Sequence, residues 1–71
     1  MSTGIVETFD VQRGYGWIKD DSDPDGRSLF VHFHDIEMDG FKIVYEGDAV
    51  VFERMLSPKG PRAINVRTLQ Q

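Results

Sequence analysis

R-G-Y-G-W-I, residues 13–18, sets Tyr15 and Trp17 on either side of Gly16, with Ile18 next. Successive side chains of a strand point to opposite faces, so Tyr15 and Trp17 share one face while Gly16 and Ile18 share the other. Ile18 reads as core, which turns both large rings away from it. L-F-V-H-F, residues 29–33, repeats the arrangement: Leu29, Val31 and Phe33 have one parity, Phe30 and His32 the other. With Leu29 and Val31 beside Ile18 inside, Tyr15, Trp17, Phe30 and His32 gather outside on neighbouring strands. Such an exposed patch of rings is one that a monomer normally avoids.

Three uses fit a sheet face of this kind. A second core layer needs a covering element, and no helix is predicted to supply one. A protein contact is the next. The third is nucleic acid, because bases are flat and stack on aromatic rings for roughly 1–3 kcal/mol each, whatever the sequence. Gly14 and Gly16 would let a strand or a ligand approach the backbone closely.

The rest of the chain bounds the choice. At 71 residues it is expected to form a single domain over 1–71, burying only about 60% of the surface that its unfolded form exposes. It contains no cysteine, which excludes disulfide and thiolate-metal staples and fits a reducing compartment such as the cytoplasm. No apolar run approaches membrane-spanning length, and the start MSTGIVETFD lacks the features of a signal peptide. A net charge of −4 argues against partners held by bulk electrostatics, such as duplex DNA or an anionic membrane. Any nucleic-acid site must be local.

Glycine and proline punctuate short runs rich in Val, Ile, Phe and Tyr, the pattern of strands joined by turns. Strands are predicted at about 4–11, 15–20, 28–33, 48–56 and 62–68, with polar loops at 21–28 and 57–61 and one helical turn within 34–40. Five short strands in so short a chain point to a closed barrel, since closure removes unpaired edges.

These motifs resemble those of the cold-shock domain family. R-G-Y-G-W-I is similar to its first ribonucleoprotein motif and L-F-V-H-F to its second, in that order. T-G-I-V-E-T-F at the start, D-G-F-K at 39–42, E-G-D-A-V-V-F-E at 46–53 and K-G-P-R-A-I-N-V at 59–66 extend the likeness over residues 3–68. The resemblance implies an all-β, five-stranded antiparallel OB-fold barrel that binds single-stranded RNA and DNA by stacking, without catalysis or a cofactor, as an RNA chaperone or a regulator of transcription or translation would. Carried over by position, the implied binding residues are Phe9, Tyr15, Trp17, Phe30, His32, Phe33 and Phe41, with Lys59 in the late loop. Arg13 and Lys19 flank the face as phosphate partners, and Arg62 adds a charge where the family is usually neutral. A monomer is expected, with a strand-exchanged dimer as its variant because the 34–45 loop offers a hinge.

The departures are concentrated in the first strand. Glu7-Thr8-Phe9-Asp10 stands where the family usually has Lys-Trp-Phe-Asn, so a cation becomes an anion and one indole is lost. The expectation is weaker binding or a shifted register, with few counterions released. The alternative reading is a protein-interaction module of the same fold with eroded nucleic-acid affinity.

Two further patterns read as decoys. Asp21-Ser22-Asp23-Pro24-Asp25-Gly26 matches half of a calcium loop, but its twelfth position is His32 instead of glutamate. His32 and His34 have chelating spacing without a firm third ligand. No metal is expected at either. No cysteine nucleophile, phosphate loop or Ser–His–Asp spacing suggests an enzyme.

Overall fold

The computed structural model describes residues 1–37 and 44–69. Five strands, β1 (Ser2–Asp10), β2 (Tyr15–Asp20), β3 (Ser28–His32), β4 (Ala49–Ser57) and β5 (Gly60–Thr68), close into a barrel in the order β1-β2-β3-β5-β4. Four of the contacts around the ring are antiparallel, and β3 and β5 pair in parallel at Phe30 and Arg62. A parallel bridge between Ile36 and Val66 continues that seam. The expected all-antiparallel barrel is corrected at this point. Strand directions cannot alternate all the way round an odd ring, so one seam must be parallel.

Alternation builds the core as anticipated. Val6, Ile18 and Leu29 lie opposite one another across β1, β2 and β3, and with Val31, Val50, Phe52, Ala63 and Val66 they are buried. Phe33 departs from its predicted parity. β3 ends at His32, and a single 3-10 turn spans Phe33–Asp35, leaving Phe33 38% exposed. The imidazole of His32 caps this turn, its Nδ1 accepting the His34 N–H at 3.2 Å. The turn begins one residue before the predicted window, and the later part of that window lies outside the described residues.

Local chemistry sets the other boundaries. β1 stops at Asp10 because its Oδ1 accepts the N–H groups of Gln12 and Arg13 at 3.0 and 3.1 Å, and Gly14 at φ 76° completes the turn. The expected 57–61 loop is only the pair Pro58–Lys59, because Ser57 and Gly60 already pair across the hairpin. Two bulges bend the strands. Glu7 is the extra residue in β1 between Val6 and Thr8. A second register shift falls opposite Val51–Glu53, where Asn65 takes a left-handed φ of 51° and donates its amide to the Glu53 carboxylate.

Among the described residues, one charged side chain is buried. Asp20, 2% exposed, accepts the Ser22 N–H at 2.9 Å and the Ser22 hydroxyl at 2.7 Å, and Nη1 of Arg54 lies 3.2 Å away. Burial pushes its carboxyl up, but the Ser22 hydrogen bonds and the Arg54 charge outweigh that and hold it below its ordinary value.

Candidate nucleic-acid interface

The register of β2 on β3 decides the site. Trp17 lies opposite Phe30 and Tyr15 opposite His32, and all four project to the outer side, between the buried positions Gly16, Ile18, Leu29 and Val31. Phe30 is the hub. Its ring centroid lies 5.7 Å from Tyr15 at a 34° tilt and 5.5 Å from Trp17 nearly edge-on. His32 continues the surface through Phe33 at 4.7 Å and His34 at 4.6 Å, while Phe33 and His34 approach to 4.2 Å. Trp17 remains 40% exposed. The ring of His34 thus belongs to this surface. Because Nδ1 of His32 accepts from the backbone, Nε2 is left as its donor.

Gly16, between the rings of Tyr15 and Trp17, faces inward. A Cβ on Gly16 would sit 2.2 Å from the Thr8 carbonyl oxygen and 2.8 Å from Cδ1 of Phe9. The close approach that Gly16 permits is therefore that of β1. Phe9 accordingly packs against the core edge on the side opposite Tyr15 and Trp17. Phe41 lies outside the described residues.

A groove of about 670 Å³ runs beside the rings, lined by Trp17, Ser28 and Phe30 on one side and by the β4–β5 hairpin from Ser57 to Arg62 on the other. Neither proline of this hairpin was singled out from sequence. Lys59 and Lys19 have no carboxylate partner among the described residues, whereas the other two cations do. Arg62 is paired with Asp35, and its buried Nε has no partner. Arg13 donates to the Tyr15 hydroxyl at 3.2 Å and lies 3.7 Å from Asp10. The hydrogen bond to the Tyr15 hydroxyl, with the nearby Asp10 carboxylate adding to it, raises the Arg13 guanidinium above its ordinary value. Glu7, at the β1 bulge, accepts a hydrogen bond from the Ser28 hydroxyl at the groove's edge.

Two carboxylates of the acidic loop are engaged within it, while Asp21 accepts from the Thr3 hydroxyl of β1 at 3.3 Å. Asp23 accepts the Asp25 N–H at 2.9 Å, and Arg27 lies 3.8 Å from Asp23 and 3.6 Å from Asp25. Among the described residues no group of three or more His, Asp or Glu side chains is placed to hold a metal ion. No helix among them is long and apolar enough to cross a membrane.

A closed five-stranded barrel with flat rings gathered on two adjacent strands defines an OB-type binding fold. The chain belongs to the cold-shock domain family: the model described as the 'Cold-shock' DNA-binding domain matches residues 2–69. It is 39% identical over 69 residues to cold shock-like protein CspA of Bordetella pertussis, covering 97% of this chain and all of that protein. It is 44% identical over 66 residues to cold shock protein 1 of Lactiplantibacillus plantarum, covering 93% and 96% of the two chains. With a cold shock-like protein of Aquifex aeolicus the identity is 46% over 67 residues, covering 93% and 91%. The family is one of nucleic-acid-binding proteins.

Proposed function

We propose that this protein binds single-stranded RNA and DNA by stacking successive bases on Trp17, Phe30, Tyr15, His32 and Phe33, and that it acts as an RNA chaperone in the cytoplasm. The observation that carries this reading is the Phe30-centred ring cluster, left exposed beside a groove that holds Lys59 and Arg62. Flat faces of this kind accept any base, and a strand held on them is withheld from hairpins. His32 adds a ring that both stacks and donates a hydrogen bond. Lys19 and Lys59 neutralise phosphates directly; Arg13 and Arg62 do so only in competition with Asp10 and Asp35. Phe9 contributes by holding β1 against Gly16, and Phe41 is assigned to the face through the family likeness alone. No reaction and no cofactor are part of this function, and the protein acts as a monomer.

Trp17 is the only tryptophan, so its fluorescence reports the event. Short oligo-dT or oligo-U is expected to quench it at low salt. Absence of quenching at high micromolar oligonucleotide overturns the proposal and favours a protein-binding role for the same face.

A further inference from the structure

The β1 bulge makes Glu7 more than a repulsive charge. The register slips so that Val6 faces Ile18 and Thr8 faces Trp17, with Glu7 inserted between them. From there its side chain crosses β2 to Ser28 of β3, whose hydroxyl donates to Oε1. Ser28 lines the groove next to Trp17 and Phe30. The carboxylate is thereby held beside the edge of the stacking surface, and Oε2 has no partner among the described residues.

We infer that Glu7, positioned by Ser28, reads the edge of the base stacked on Trp17 and selects guanine. This rests on the binding proposed above. A carboxylate only accepts hydrogen bonds, and once a base covers the groove an unpaired oxygen loses water without compensation. Guanine places two adjacent donors, N1–H and the N2 amino group, on one edge, spaced to meet both carboxylate oxygens. Oε1 keeps the Ser28 hydroxyl on its second lone pair. Uracil and thymine offer one N–H flanked by two carbonyls that repel the carboxylate. Adenine and cytosine offer one amino group beside a ring nitrogen whose lone pair does the same. Each of the other bases leaves Glu7 partly unsatisfied, so the charge that weakens binding in general becomes a filter.

The test uses the full chain and Trp17 quenching with dT heptamers carrying guanine, inosine or thymine at the central position. A bidentate pair predicts about tenfold tighter binding for guanine than for thymine, with inosine, which lacks the N2 amino group, in between. Glu7→Gln is expected to abolish the difference between guanine and inosine and to tighten binding of the all-dT heptamer. Ser28→Ala should reduce the guanine preference by freeing the carboxylate. Equal affinities for the three heptamers, or a guanine preference that survives Glu7→Gln, overturn the inference while leaving the stacking function standing. No quenching by any heptamer overturns both.

Discussion

The Phe33 N–H donates to the Gly14 carbonyl at 2.9 Å, and the Phe33 ring fills the space where a Cβ on residue 14 would project, 2.7 Å from Cδ1. The β1–β2 turn is thus locked to the 3-10 turn that ends β3, and the outermost ring of the binding face is set by a backbone that also needs φ 76°.

Gly14→Ala is therefore expected to destabilise on two grounds. The left-handed conformation costs about 1–2 kcal/mol for a residue with a Cβ, and the Phe33 ring must shift. A lower urea midpoint with an unchanged slope, together with weaker oligonucleotide binding, is the expected result. Stability equal to wild type would show that the two turns are not coupled.

Phe30 and Phe52 separate the face from the core. Phe30→Ala should lose about 1 kcal/mol of stability through its ring contacts, while oligonucleotide affinity falls by roughly 1–3 kcal/mol. Phe52→Ala, in the buried layer, should cost about 3–5 kcal/mol of stability. Urea unfolding and Trp17 titration on both variants check the contrast; equal destabilisation would make the ring face a second core layer.

Salt dependence follows from the free cations. With Lys19 and Lys59 the two of the four flanking cations that have no carboxylate partner among the described residues, single-strand binding should show a log K against log salt slope of about −1.4. A slope of about −3 or steeper would mean that Arg13 and Arg62 leave their carboxylates and join the phosphates.

Asp20 makes stability acid-sensitive. Its folded carboxyl is held below the ordinary value of 3.8, so the unfolded chain binds the proton more readily. The contribution is complete above the unfolded value and is lost as pH falls through the folded one. Asp20→Asn should remove roughly 1–3 kcal/mol at neutral pH and flatten the stability profile below pH 3.8. Urea midpoints across that range test it; parallel profiles would assign the acid sensitivity to other carboxyls.

Much of the binding face is legible along the chain because facing is a local property. Tyr15, Trp17, Phe30 and His32 alternate with Gly16, Ile18, Leu29 and Val31, and two-residue periodicity assigns each set to a side without knowledge of its neighbours. The same rule misplaced Phe33, since periodicity holds only while the strand continues, and His32 ends β3 by capping a 3-10 turn with its own side chain.

The sequence by itself therefore determined the five short strands, the inward and outward sets on β2 and β3, the family, and the acidic Glu7 in β1. Only the tertiary structure decided which charges are left for a ligand. Arg62 meets Asp35 from 27 positions away, Glu7 reaches Ser28 across 21, and Arg54 finds Asp20 across 34. These pairings arise when the barrel closes, and the parallel seam between β3 and β5 is imposed by the odd number of strands in the ring. Alternation encodes which way a side chain points, but what it meets there depends on the bulges and register that closure selects.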